Sequence, residues 1–127
     1  MDVLFSFAYA TWGTAVARGM CFSEDRLVET LIGDRRVERL LVAETPRSLP
    51  IKLLKDRVRM PPEPPAGDGV SLYGPTRVRR GDPASVRAVA GSFRRWDAQL
   101  RRACRRRGLE DPAVITTHPL VAGFAPL

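Results

Sequence analysis

The sequence predicts an α/β fold, a Rossmann-like three-layer sandwich around a short parallel sheet. Three observations carry that prediction. Apolar runs rich in β-formers alternate with stretches of helical period along nearly the whole chain. Two of the runs, Val3 to Phe7 and Val37 to Ala43, are almost continuously apolar, as strands buried on both faces are. The chain has 127 residues, 44% apolar and 28% charged, which is ordinary globular usage and room for one domain.

The elements follow in order. Val3-Leu4-Phe5-Ser6-Phe7 is the first strand, and Tyr9 to Gly19 reads as the loop after it. Ser23-Glu24-Asp25 reads as an N-cap followed by acids that suit the helix dipole. Leu27, Val28, Leu31 and Ile32 give that helix one apolar stripe, and Gly33-Asp34 ends it. Val37 to Ala43 is the second strand, which completes a βαβ unit. Leu49 to Val58 is expected to form a short helix, with Pro50 tolerated in its first turn. Met60 to Asp68 holds four prolines and one glycine and is expected to be a loop. Val70 to Tyr73 is a weaker third strand reaching toward Val78, and the proline in Gly74-Pro75 argues for an edge position or a break.

Asp82-Pro83 reads as the start of a long helix, Asp as N-cap and Pro at the first helical position. Val86, Val89, Ala90, Phe93, Trp96, Leu100, Ala103 and Cys104 then recur at three- and four-residue steps, and Gly108 closes the helix as its C′ residue. Ala113 to Thr117 is the fourth strand. The alternation predicts right-handed crossovers, helices on both faces and strand order 3-2-1-4. That order puts a crevice between strands 1 and 4 at their C-terminal ends, where Tyr9–Gly19 and the residues from His118 onward meet. The apolar stretch Leu120 to Leu127 has no element to cover it, so the sheet is expected to be incomplete at its C-terminal edge. Residues 1–127 are then the front part of something longer.

Charge is unevenly placed. The net charge is +7, and the stretch from Ala84 to Arg107 carries all of it, with eight arginines against Asp97. Arginine outnumbers lysine nineteen to two, a bias that weakens any argument from arginine alone. No apolar run approaches the roughly 20 residues of a membrane span. The apolar N-terminus lacks the basic n-region of a secretory signal, having only Asp2 as an early charge, so the chain is expected to be cytoplasmic. Cys21 and Cys104 make neither a disulfide framework nor a metal-ligand pattern, and with one histidine a zinc site is hard to build. No metal and no cofactor are therefore expected. Gly-x-Gly-x-x-Gly after strand 1, a Walker-type Gly-Lys-Ser/Thr, a Gly-x-Ser-x-Gly elbow and a receiver-type acid cluster are all missing from the sequence.

The candidate residues are those that the crevice would gather. His118 directly follows strand 4 and precedes a rigid proline; it either serves as base or hydrogen-bond donor, or fixes its own turn. Trp12 either stacks on a flat ligand face or folds back over the sheet end. Arg18 can pair with a phosphate, and Thr14 can offer a hydroxyl or bond locally. On the long helix, Arg94, Arg95, Arg101, Arg102, Arg105 and Arg106 fall with Arg87 on the side away from the apolar stripe. They form either a solvated face or a surface for an anionic membrane or nucleic acid. Aromatic interleaving is lacking there, so nucleic acid is the weaker expectation.

Three stretches, MDVLFSFAYATWGTAVARG, SEDRLVETLIGDRRVERLLVAETPRSLP and RRRGLEDPAVITTHPLVAGFAPL, resemble the N-terminal domain of bacterial GT-B glycosyltransferases. The nearest branch lies around glycosyltransferase families 1 and 4, with the teichuronic-acid-type enzymes. The resemblance implies transfer of a sugar from a nucleotide-sugar to a cell-envelope or lipid-linked acceptor. It makes this chain the acceptor-side domain, inactive without the donor domain that carries the acidic residues for the nucleotide-sugar. By position, Trp12, Thr14, Arg18 and Gly19 would line the acceptor side and His118 would face the reacting centre. The basic helix would sit peripherally on the inner face of the membrane. The alternative is a non-catalytic module that binds an anionic membrane surface or nucleic acid through the arginine-rich helix 83–107.

Overall fold

A computed structural model describes residues 1–8, 10–49, 65–78 and 84–117. Along the chain these form β1 (Asp2–Ser6), α1 (Trp12–Ala17), α2 (Ser23–Gly33), β2 (Arg39–Ala43), β3 (Arg47–Ser48), β4 (Val70–Tyr73), β5 (Thr76–Arg77), α3 (Val86–Arg106) and β6 (Ala113–Thr116). The protein is α/β, built on a four-stranded sheet whose pairings are all parallel, in the order β4-β2-β1-β6. In chain numbering this is not the expected 3-2-1-4, because two strands of two residues each, β3 and β5, were not foreseen. They pair with one another in a second small sheet. No helix among the described residues is long and apolar enough to cross a membrane.

The central strands form because their side chains are apolar on both faces. Val3, Leu4, Phe5 and Leu40 through Ala43 are all essentially inaccessible to solvent. Alternation along the strands then divides them between two cores. Val3, Phe5, Leu40 and Val42 pack with Trp12, Ala15 and Val28 of α1 and α2. Leu4, Leu41 and Ala43 pack with Phe93, Trp96, Leu100, Ala103 and Cys104 of α3. The sheet therefore has helices on both faces, and each buried Leu, Val or Phe contributes about 1.5–3 kcal/mol.

Helix ends are set by local chemistry. The long helix starts at Val86, later than the expected Asp82-Pro83, because the Ser85 hydroxyl caps it by accepting from the Ala88 amide at 3.2 Å. Its C-terminus is a Schellman turn. Gly108 at φ +69° donates to Arg105 O at 3.2 Å, and Leu109 donates to Cys104 O at 3.1 Å. Gly74-Pro75 breaks the third strand, as the proline suggested, and β5 beyond it bends to join β3. The helix expected over Leu49–Val58 lies, after Leu49, outside the described residues, as do Asp82-Pro83, His118 and the apolar tail.

Candidate functional site

The C-terminal ends of β1, β2 and β6 form a crest, with β2 and β6 flanking β1 on opposite sides so that the strand order switches there. In open α/β sheets ligands bind at such a point. What holds this crest is a set of carboxylates and hydroxyls. Glu24, in the first turn of α2, accepts from the Ala8 amide at 2.6 Å and from the Thr117 hydroxyl. It therefore joins the end of β1, the end of β6 and the start of α2. Glu44, just past β2, accepts from the Trp12 amide at 2.9 Å. The Thr45 hydroxyl bonds the carbonyls of Ala8 and Ala10, both at 3.0 Å. Ser6, the last residue of β1, is fully buried, and its hydroxyl has no hydrogen-bond partner among the described residues.

The segment expected as a loop, Tyr9 to Gly19, instead contains α1. Thr11 caps that helix through the Thr14 amide at 3.2 Å, and the two threonine hydroxyls lie 2.9 Å apart. Thr14 is exposed at this end of the helix, so it stays available to a ligand at the crest. Trp12 is not. It is 8% exposed and packs against the sheet with Phe7, Ala15 and Val28, which is the covering role and leaves no face for stacking. Gly19 is the glycine of a second Schellman turn, at φ +73°. It donates to Val16 O, and Met20 donates to Ala15 O, both at 2.9 Å. Its conformation ends α1, and that is sufficient reason for a glycine there.

Arg18 is engaged within the protein. Its Nε donates to Asp25 Oδ2 at 2.7 Å, its Nη2 bonds Oδ1, and its guanidinium lies 4.3 Å above the Phe22 ring. Asp25 is completely buried and also accepts from the Phe22 amide at 3.2 Å. The Arg18 hydrogen bonds hold the Asp25 carboxyl below the usual carboxylate range against the opposing effect of burial. The pair pins the end of α1 to the start of α2, so an anion at the crest would have to compete with a buried carboxylate for it.

His118 follows Thr117 directly and lies outside the described residues. Cys104 is buried and burial pushes its thiol up, whereas Cys21 is exposed. A hollow of about 240 Å³ among Arg101, Cys104, Arg105, Leu109, Asp111 and Pro112 sits by the C-terminal end of α3. Gly108 there lies beside Arg39 at the start of β2, so the hollow is at the far end of the sheet from the crest.

Sequence reasoning did not single out Glu24 and Glu44 as crest residues. Glu24 was legible only as an acid suited to a helix dipole. Glu44 carried a clearer signal, an acid immediately after a strand buried on both faces. In chemical terms the crest offers carboxylate acceptors beside threonine hydroxyls, a set suited to hydrogen-bonding a hydroxylated ligand. Replacing Glu24 with Ala is expected to leave the Ala8 amide and Thr117 without their acceptor. That should cost about 1.5–3 kcal/mol and speed hydrogen exchange at Ala8. Comparison with protein-family models, with curated proteins and with solved structures gives no match to this chain.

Proposed function

We propose that this chain is the acceptor-side domain of a Rossmann-like, GT-B type glycosyltransferase, with the nucleotide-sugar held by a separate donor domain. The observation that supports the reading most is the crest itself. Glu24, Glu44, Thr45 and Thr117, with the exposed Thr14 of α1, lie around the switch in strand order of a parallel sheet, and they suit a polyhydroxylated acceptor. In this reading the acceptor hydroxyl attacks the anomeric carbon of the donor sugar. The bond to the nucleoside diphosphate breaks, the leaving phosphate takes the electron pair, and the acceptor proton passes to a base. His118 is the first choice for that base, and Glu24 is the carboxylate nearest the chain that leads to it. No metal is needed for such a step, because alignment of the reacting atoms can supply up to about 7–11 kcal/mol. The acceptor is a sugar or lipid-linked sugar of the cell envelope, reached from the cytoplasmic side of the membrane.

The test is equilibrium binding of this chain to two ligand sets. Short-chain polyprenyl-phosphate sugars are expected to bind and nucleotide-sugars are not. Tight nucleotide-sugar binding without acceptor binding would overturn the assignment to the acceptor side. In the two-domain enzyme, His118→Ala is expected to lower turnover tenfold or more, general acid–base groups contributing about 10²–10⁴; unchanged turnover would remove His118 from the site. A second reading, a surface-binding module without chemistry, is favoured only by the exposed arginines of α3.

A further inference from the structure

Among the described aromatic residues only Phe22 is exposed, at 56% of its surface. Exposure alone carries nothing, since single apolar side chains stand on most protein surfaces. What sets Phe22 apart is how firmly it is held. Its amide donates to Asp25 Oδ2 at 3.2 Å, and the Arg18 guanidinium lies 4.3 Å from its ring centroid. Arg18 is fixed in turn, with Nε on Asp25 Oδ2 at 2.7 Å and Nη2 on Oδ1. The buried Asp25 thus fastens both the backbone of Phe22 and the cation on its ring. The guanidinium takes one face of the ring, and the opposite face is left to solvent.

The place of the ring gives it a use. Phe22 is the N-cap of α2, two residues before Glu24. Glu24 Oε1 accepts both bonds that tie the crest, from the Ala8 amide and the Thr117 hydroxyl. Its Oε2 has no hydrogen-bond partner among the described residues, and the side chain is only partly buried. Hydrogen bonds to Asp25 raise the Arg18 pKa above its ordinary value, and the charge of Glu24 adds a smaller push. Ring, guanidinium and carboxylate therefore share one neighbourhood. A pyranose is polar around its edge and apolar on the face where its C–H bonds gather. Recognising one takes hydrogen-bonding groups for the edge and a flat apolar surface for the face. The crest supplies the first, but Trp12 is buried against the sheet and cannot supply the second.

We propose that Phe22 is the stacking platform of the crest: the C–H face of a pyranose rests on its open side while Glu24 Oε2 accepts from one of the sugar's hydroxyls. That role rests on the reading of the crest as an acceptor-sugar site, and it adds the residue that orients the ring. Asp25 and Arg18 hold the platform in place before a ligand arrives, so little side-chain freedom is lost on stacking. Arg18 is then a positioning residue, acting on the sugar through Phe22.

The experiment is a nuclear magnetic resonance titration with short-chain polyprenyl-phosphate glucose, galactose and N-acetylglucosamine. It compares the parent chain with Phe22→Ala, Phe22→Leu and Phe22→Tyr, each checked for native circular dichroism. In the parent, C–H protons of the bound sugar are expected to shift upfield, as protons over an aromatic face do. Phe22→Ala is expected to weaken binding roughly fivefold and to abolish that upfield shift. Phe22→Tyr is expected to restore both, and Phe22→Leu to keep part of the affinity and none of the shift. Parent-like affinity and upfield shift in Phe22→Ala would overturn the platform and leave the crest as a sugar site. No sugar-dependent binding by the parent would overturn the crest reading itself, and the platform with it. Should Phe22→Ala fail to fold, the parent complex still decides. Nuclear Overhauser contacts between the sugar C–H protons and the Phe22 ring are expected there, and a bound sugar without them would overturn the proposal.

Discussion

Arg18→Met is expected to lower the melting temperature by roughly 10–20 °C. The reason is the partner left behind. Asp25 is completely enclosed, and without Arg18 its carboxylate keeps, among the described residues, only the Phe22 amide as a hydrogen-bond donor. Leaving a buried charge uncompensated in this way costs about 3–5 kcal/mol. Asp25→Asn is expected to cost less, because Arg18 is partly exposed and its released guanidinium can turn to water. The pH dependence separates the two variants further. In the parent, the Asp25 carboxyl titrates below its unfolded value of about 3.9, so its contribution is complete above that pH. It is lost as pH falls through the folded value. In Arg18→Met burial, the Phe22 amide and the more distant charge of Arg26 are left acting on the carboxyl; burial is the largest of the three, so it should raise the folded value and the sign reverses. The variant's deficit should shrink as pH falls toward 4. A thermal melt series of parent, Arg18→Met and Asp25→Asn between pH 7 and pH 4 checks both the ranking and the sign. Equal deficits in the two variants at every pH would contradict the account.

Gly69→Ala is expected to be nearly as damaging, for a backbone reason. Gly69 sits at φ +79°, a conformation that costs an L-residue about 1–2 kcal/mol. A methyl group there would also overlap the backbone carbonyl oxygen of Glu38, which has no soft side chain to move aside. Relief requires displacing the Gly69 carbonyl from the Leu40 amide, 3.0 Å away, and that bond begins the β2–β4 pairing. A total of about 3 kcal/mol follows, in the range for strain at a special backbone position. Gly19→Ala is the control. Its φ is similar at +73°, but nothing lies within 4 Å of an added methyl group, so only the conformational cost should be seen. Denaturant melts of the two variants should therefore differ by about 1–2 kcal/mol.

Gly108 and Gly19, the glycines that end α3 and α1, mark how far the sequence could be read. Gly108 was legible as a helix stop because it ends a long periodic stripe from Val86 to Cys104. Gly19 was not, because α1 spans six residues, too few for a period to emerge, and Gly13 and Thr14 within it suggest a loop. The central strands were legible since Val3–Phe5 and Leu40–Ala43 are apolar on both faces, a pattern that neither loops nor surface helices produce. The strands β3 and β5 were not, since two residues carry no alternation. Site residues were harder, because their roles depend on which segments meet. Nothing in the local sequence says that Arg18 will find Asp25, or that Glu24 will span from Ala8 to Thr117. Trp12 illustrates the limit. Both of its readings were open in the sequence, and the packing of α1 on the sheet decided for the core.

The central claim is that an acceptor sugar is held at the crest between β1 and β6. The most direct measurement is an amide-resolved nuclear magnetic resonance titration of this chain with a polyprenyl-phosphate-linked sugar in detergent micelles. Plain micelles and free polyprenyl phosphate serve as references. Saturable shifts that require the sugar are expected at Ala8, Ala10, Thr11, Thr45 and Thr117, with α3 unaffected by it. Shifts confined to the arginines of α3, or identical with and without the sugar, would contradict the claim and leave the chain as a surface-binding module.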